Sequence, residues 1–301
     1  MFKFDFKVDD CESDDKFTAE QHEQKSDNEE CEASIECYDS QEVEPNLKIL
    51  ENLDVYKLNS SELTAGSTTL TYIISGYLLK DLTANNEQTE DIIKAEENHS
   101  DLIPGVYEGG AKKWECTDDL LAYMAETCRS VVFKGKDVLD LGCGSGILGI
   151  YAYKNGARVH FQDYNKDVLE SITIPNVLLN VPKPPRETDL DLKKLRNELQ
   201  FYSGDWSKYA ETTKNSNKFD VILTSETIYN PKNQQKLLNT FHEKLTLTGF
   251  VLVAAKSYYF GVGGGLRQFE ELIQRDDHFR FTTVWKSTEG VGREILEIKR
   301  K

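Results

Sequence analysis

The sequence predicts an α/β fold: a mostly parallel sheet with helices on both faces, finished by an antiparallel hairpin. Three observations carry this expectation. From residue 137 onward, short apolar strands alternate with helical stretches, the pattern of parallel strands joined by crossover helices. The first strand runs directly into a glycine turn and a helix, Asp137-Val-Leu-Asp-Leu-Gly-Cys-Gly-Ser-Gly-Ile-Leu-Gly149. At the far end, the stretches 279–287 and 294–300 are joined only by a turn holding Gly290 and Gly292. A turn of that length leaves no room for a crossover, so these two strands pair antiparallel.

The elements follow in order. Strands are expected at 138–141, 158–162, 199–202, 219–224 and 250–255. Between them lie helices at 146–154, 167–179 (broken near Pro175), 231–245 and 264–276. The insertion 181–197 holds Pro182, Pro184 and Pro185 ahead of a charged helical run, and belongs on the surface. Upstream, a helix begins near Thr117, with Thr117 or Asp118 as its N-cap and Leu120, Leu121, Met124 and Ala125 at helical spacing. Residues 69–75 read as a strand from their β-branched and aromatic content, and 85–98 as a loop or exposed helix. The region 47–103 is expected to be an extension packed on the domain 104–301.

Charge is unevenly spread. The 301 residues carry a formal net charge of -16, but residues 1–44 hold sixteen Asp and Glu against four Lys, a net of -12. The remainder is therefore near -4. Residues 1–46 read as an acidic, largely disordered tail, too poor in aliphatics to offset the entropy of ordering. Its start is the exception: Phe2, Phe4, Phe6 and Val8 alternate with polar residues, fit to join a sheet edge or grip a partner. The acidic balance argues against direct, sequence-specific nucleic-acid binding, which needs a basic footprint. Neither a signal peptide nor a membrane-length apolar run is present. Six scattered cysteines without a CxxC pair read as free thiols of a reduced, intracellular protein. The five histidines have no metal-ligand spacing, so no metal is expected.

Four motifs sit where parallel strands end, the usual place for ligands in such sheets. The glycine turn admits two registers. Gly144-Ser-Gly-Ile-Leu-Gly149 satisfies the dinucleotide pattern, whereas Asp140-x-Gly142-x-Gly144-x-Gly146 has an acid just before the turn, as in methyl-donor sites. About twenty residues on, Gln162-Asp163-Tyr164 ends the next strand, and Asp163 is placed to grip a ribose 2′-hydroxyl. The plainer reading makes Asp163 a helix cap. Gly204-Asp205-Trp206 ends the third strand and could read an adenine edge and cover its face; the plainer reading is a turn and a core Trp. Ser225-Glu226-Thr-Ile-Tyr229-Asn230-Pro231 follows the fourth, as a substrate-facing edge or simply a helix entry.

Taken together, Pro104-Gly-Val-Tyr-Glu-Gly-Gly, Trp114-Glu-Cys-Thr, the glycine turn, His160-Phe-Gln-Asp-Tyr-Asn, Ile174-Pro-Asn-Val, Leu223-Thr-Ser-Glu-Thr-Ile-Tyr-Asn-Pro and Tyr259-Phe-Gly-Val-Gly-Gly-Gly265 resemble the eukaryotic protein-histidine N-methyltransferases. The likeness covers about 101–269 and the Phe-rich start. It implies a Rossmann-like Class I methyltransferase fold with strand order 3-2-1-4-5-7-6, and S-adenosylmethionine (S-adenosyl-L-methionine) as cofactor. The implied cofactor contacts are Lys113, Trp114, Glu115, Cys116 and Thr117, then Gly142, then Gln162, Asp163 and Tyr164, then Gly204, Asp205 and Trp206, and Ser225. Glu226, Tyr229 and Asn230 are the implied catalytic group, orienting an acceptor imidazole whose distal (tele) nitrogen is methylated. The implied substrate is a large-subunit ribosomal protein, met by a monomer in the cytoplasm and nucleus, the nucleolus included. A lysine methyltransferase of the same class, a non-catalytic chaperone and a nicotinamide enzyme are the competing readings.

Overall fold

Hydrophobic alternation along one strand shows how the sheet is buried. In β4 (Asp137–Leu141), Val138 belongs to the apolar cluster on one face of the sheet, while Leu139 and Leu141 belong to the cluster on the other. A strand covered on both sides is what parallel pairing between crossover helices requires. The computed structural model describes residues 38–45, 47–74, 92, 102–103, 105–127, 132–182, 192–216 and 218–301. Residues 36–301 form one compact unit.

The described elements run β1 (Gln41–Glu42), α1 (Leu47–Glu51), α2 (Leu53–Leu58), β2 (Ser60–Ala65), β3 (Thr68–Ile73), α3 (Glu115–Thr127), β4 (Asp137–Leu141), α4 (Ile147–Lys154) and β5 (Arg158–Asp163). They continue with α5 (Lys166–Val168), a π-helical turn (Leu169–Thr173), α6 (Ile174–Asn180), α7 (Leu192–Glu198), β6 (Leu199–Ser203), α8 (Trp206–Thr212), β7 (Phe219–Ser225), α9 (Pro231–Lys244) and β8 (Leu245–Lys256). Last come α10 (Leu266–Asp276), β9 (Phe279–Lys286) and β10 (Arg293–Arg300). Among the described residues the main sheet has the order β1-β6-β5-β4-β7-β8-β10-β9. Leaving out the short β1, this is the expected 3-2-1-4-5-7-6, with β4 to β8 parallel and β9 and β10 antiparallel.

Two close contacts hold the nucleotide-binding half together. A Cβ at Gly149 would come 2.4 Å from Phe161 Cε1, so only glycine lets α4 lie this near β5. The backbone N–H of Gly149 also donates to Asp140 Oδ2 at 2.8 Å, tying the helix to the strand before the turn. On α6, Asn176 accepts from Ile73 N (2.8 Å) and donates to Ser145 O (2.9 Å). One turn later Asn180 exchanges bonds with both backbone groups of Thr71. The β2–β3 hairpin of the extension is therefore docked through side chains that pair its otherwise open edge.

Several expectations change. The acidic tail does not run to residue 46: Gln41 and Glu42 pair antiparallel with Ser203 and Tyr202, and Val43 is buried in the core. The helix around Pro175 is not broken there. Pro175 cannot donate to the carbonyl one turn back, and the chain takes a π-helical turn just ahead of it before continuing. Helix α8 was not foreseen, because Gly204-Asp205 reads as a turn and the helix starts immediately after it. α3 starts at Glu115 rather than Thr117, and β8 begins five residues earlier than expected. The Phe-rich start and 85–91 fall outside the described residues, as do 93–98. Among the described residues no helix is long and apolar enough to cross a membrane.

Candidate methyl-donor and acceptor site

At the carboxyl ends of the parallel strands the chain turns sharply. Gly142, Gly144 and Gly146 all have left-handed φ, of +66°, +50° and +73°. The turn is held from both sides. Gly144 N donates to Asp163 Oδ2 (2.8 Å), and Thr173 Oγ1 donates to Gly144 O (2.5 Å). Asp163 is almost fully buried and its other oxygen accepts from Asn165 N at 3.2 Å. Burial pushes the Asp163 carboxyl up to about 6, against the opposing pull of the backbone N–H groups around it.

A segment with no regular structure crosses above the turn. A Cβ at Gly110 would lie 3.2 Å from both Asp163 oxygens, and one at Gly144 would lie 2.9 Å from Gly110 O. Glu108, on the same segment, accepts from Gly105 N (2.7 Å); burial raises its carboxyl, more than that bond lowers it. Trp114 donates its indole N–H to Gly109 O at 3.1 Å. Sequence reasoning missed Glu108 and Gly110, although both stand in the Val106-Tyr-Glu-Gly-Gly110 motif.

The structure brings most of the expected cofactor residues to this end of the sheet. Gln162 is buried and donates to Gly204 O (2.7 Å). Tyr164 donates to Gly105 O (3.1 Å), and Thr117 Oγ1 donates to Ser225 Oγ (3.2 Å). Cys116 is buried, its thiol pushed up first by burial and then by the Glu226 carboxylate. Others have structural partners. Asp205 caps α8 by accepting from Ser207 N (2.9 Å) and pairs with Lys236 (2.8 Å). Lys113 pairs with Asp118 (2.5 Å) and Glu115 with Lys256 (2.9 Å). Trp206 opens α8, half-buried against the second apolar cluster.

Glu226 is the unusual residue. It has a left-handed φ of +59° and is 7% exposed at the carboxyl end of β7. Its Oε1 accepts from Cys116 N at 3.3 Å, and its Oε2 is buried without a hydrogen-bond partner. Around it stand Tyr259, whose hydroxyl accepts from Lys256 N (3.2 Å) and whose pKa is raised by burial first and by Glu226 next, and Tyr229, ring centroids 6.3 Å from Tyr259. Gly264 donates to Tyr229 O (2.9 Å), fastening the glycine-rich loop after β8 to this edge. Asn230 does otherwise than expected. Its side-chain oxygen accepts from Lys232 N (3.1 Å) as the N-cap of α9, so the helix-entry reading accounts for it.

Buried polar atoms are ordinarily paired. Beside the acceptor edge, Gln162 Oε1, Ser203 Oγ and Glu108 Oε2 are buried and unpaired. All of them can accept hydrogen bonds. Such a set fits S-adenosylmethionine, whose ammonium, ribose hydroxyls and adenine amine are donors.

Comparison with known proteins now decides between the registers of the glycine turn. A family profile described as "Lysine methyltransferase" matches residues 87–261, more than half of the chain. A bovine "Histidine protein methyltransferase 1 homolog" is 41% identical over 278 residues, covering 85% of this chain and 74% of that protein. The chain belongs to the histidine protein methyltransferase 1 family. The mouse homolog of the same name is 44% identical over 69% of this chain, and the Dictyostelium discoideum homolog is 43% identical over 67%. These matches span 62% and 61% of the two relatives' own lengths. The crystal structure of SMU.776 complexed with S-adenosylhomocysteine has a TM-score of 0.50 at 12% identity. It covers 80% of this chain and 56% of that one, a likeness of fold. The family's enzymes are S-adenosylmethionine-dependent methyltransferases, which removes the nicotinamide reading.

One titratable trio lies outside this site. His242, Asp276 and His278 bring their ligand atoms within 4.8 Å of one another, which spacing along the chain did not reveal. Their contacts are hydrogen bonds: His242 Nε2 to Asp276 Oδ2 is 2.9 Å, and His278 Nδ1 meets the main-chain Asp276 O at 2.8 Å.

Proposed function

We propose that the protein methylates a histidine of a large-subunit ribosomal protein, at the distal (tele) ring nitrogen, using S-adenosylmethionine. The observation that carries this reading is the Glu226 carboxylate, buried, conformationally strained and with one oxygen unpaired at the acceptor edge. The names of the relatives at 41–44% identity point to the same acceptor.

The cofactor supplies an electrophilic sulfonium methyl group. Asp163 and the unpaired oxygens of Gln162 and Ser203 would hold its adenosine end. A neutral imidazole, with an unperturbed pKa of about 6.5, is already nucleophilic at cellular pH. Glu226 Oε2 would accept the N–H of the proximal ring nitrogen, which would leave the lone pair on the distal nitrogen free to take the methyl group. The same carboxylate would stabilise the positive charge that the methylated imidazole gains. The proximal proton then leaves to solvent. Alignment of this kind can supply roughly 7–11 kcal/mol. A lysine acceptor, with a pKa of about 10.4, would first have to lose a proton.

Action in the cytoplasm and nucleus, and as a monomer, follows from the same reading. The test is incubation of the purified full chain with labelled S-adenosylmethionine and ribosomal fractions lacking the modification. Hydrolysis should yield distal-methyl histidine in one large-subunit protein. Label found only in methyl-lysine overturns the acceptor, and cofactor binding without transfer to any fraction favours a chaperone.

A further inference from the structure

The acidic segment before the domain reaches the adenosine end of the site. Asp205 N donates to Tyr38 O at 2.9 Å, and the Tyr38 ring stacks on Tyr164, centroids 4.9 Å apart and 19° from parallel. A Cβ at Gly204 would lie 2.5 Å from Asp39 O and 2.7 Å from Ser40 Cα, so glycine at 204 is what admits the segment. Gly204 has a φ of +108° besides, a conformation few other residues adopt. Beyond, Gln41 and Glu42 extend the sheet on β6, and Val43 donates to Phe201 O (2.8 Å) with its side chain 3% exposed. The strand thus anchors the segment and leaves Tyr38 over the two strand ends that carry Gln162 to Tyr164 and Gly204 to Trp206. Ser40 Oγ is buried and unpaired there, as are Ser203 Oγ and Gln162 Oε1.

We propose that residues 38–43 are a built part of the cofactor site. They form the outer wall of its adenosine end, and Tyr38 is a cofactor-positioning residue that acts through its stack on Tyr164. The inference rests on the assignment of Gln162 to Tyr164 and Gly204 to Trp206 as adenosine contacts. Its physical basis is preorganisation. An aromatic pair held by a strand keeps Tyr164 in place before the cofactor arrives, so less ordering is needed on binding. The segment is itself anchored: it buries Val43 and pairs its backbone with β6.

The experiment measures binding by calorimetry on the full chain, with S-adenosylhomocysteine and with 5′-methylthioadenosine, which keeps only the adenosine end. Tyr38→Ala should weaken both ligands by the same factor, about 3- to 10-fold for one lost aromatic pair. Tyr38→Phe, which keeps the stack, should bind within a factor of about two of wild type. Ligand-free melting should be alike for all three proteins, and S-adenosylhomocysteine should slow hydrogen exchange at the amides of Val43 and Asp205. Equal or tighter binding by Tyr38→Ala, or loss of the amino-acid-bearing ligand alone, overturns the proposal. Failure of wild type to bind either ligand would instead overturn the cofactor assignment beneath it.

Discussion

On the proposed mechanism two carboxylates, Asp163 and Glu226, divide the chemistry of the crevice, and each can be tested alone. Asp163 has its pKa raised to about 6 by burial. Ribose hydroxyls donating to it would favour the ionised form, so cofactor binding must displace a proton below that value. Affinity for S-adenosylmethionine is therefore expected to be constant above pH 7 and about tenfold weaker at pH 5. A flat calorimetric profile across that range would remove Asp163 from the ribose role. On the proposed mechanism Glu226 sets the acceptor tautomer and takes no part in cofactor affinity. Glu226→Gln can keep the bond from Cys116 N, yet it offers an amide N–H where the imidazole needs an acceptor. Its kcat should fall roughly 10²-fold, the scale of losing one oriented polar group, with cofactor affinity unchanged. A variant that binds cofactor and turns over normally would leave the strain at Glu226 without a catalytic use. Neither the left-handed φ nor the unpaired oxygen could be read from the string Thr224-Ser-Glu-Thr-Ile-Tyr-Asn, because both depend on β7 ending against α3.

At the scale of elements, the strands and the closing hairpin were legible because apolar runs, glycine turns and loop lengths are local signals, while the strand order came from the family resemblance. What was not legible came from partners distant in the chain. Gln41 and Glu42 are a strand only because β6 offers them an edge; their own composition argues for disorder. Thr117 was expected to cap a helix, but its hydroxyl faces Ser225 across the crevice. The Ile174-Pro-Asn-Val motif, which carried part of the resemblance, has an architectural use, since Asn176 joins the β2–β3 hairpin to the glycine turn. Asn176→Ala would leave Ile73 N and Ser145 O without those partners in a buried place. A cost of about 1–3 kcal/mol is expected for each group so stranded. At roughly 2–4 °C per kcal/mol for a domain of this size, melting should drop by at least about 4 °C. Asn176→Asp, which keeps the acceptor for Ile73 N but not the donor, should separate the two bonds. If Asn176→Ala melts with wild type, the extension is not held through α6.

The whole molecule concentrates its acidity at its start, where residues 1–44 hold sixteen of the 52 Asp and Glu. Asp140, by contrast, is 1% exposed beneath the glycine turn, and burial pushes its carboxyl up to about 8 despite the hydrogen bond from Gly149. In the unfolded chain it titrates at about 3.9. Between pH 8 and 6 the folded state therefore takes up a proton that the unfolded state does not, and stability rises as pH falls, by about 2 kcal/mol in that interval. His160 opposes this. Burial lowers its pKa to about 4, so below about 6.5 the unfolded chain gains a proton that the folded one refuses. Asp163, protonating in the folded state near 6, adds to the Asp140 side. The net expectation for the cofactor-free enzyme is a melting temperature about 4–8 °C higher at pH 6 than at pH 8. Asp140→Asn keeps an acceptor for Gly149 N and removes its titration, so the variant should lose this rise and keep only the small opposed contributions of His160 and Asp163. A wild-type profile as flat as that of Asp140→Asn would mean that Asp140 is ionised in the fold, its charge held by the N–H groups of the turn.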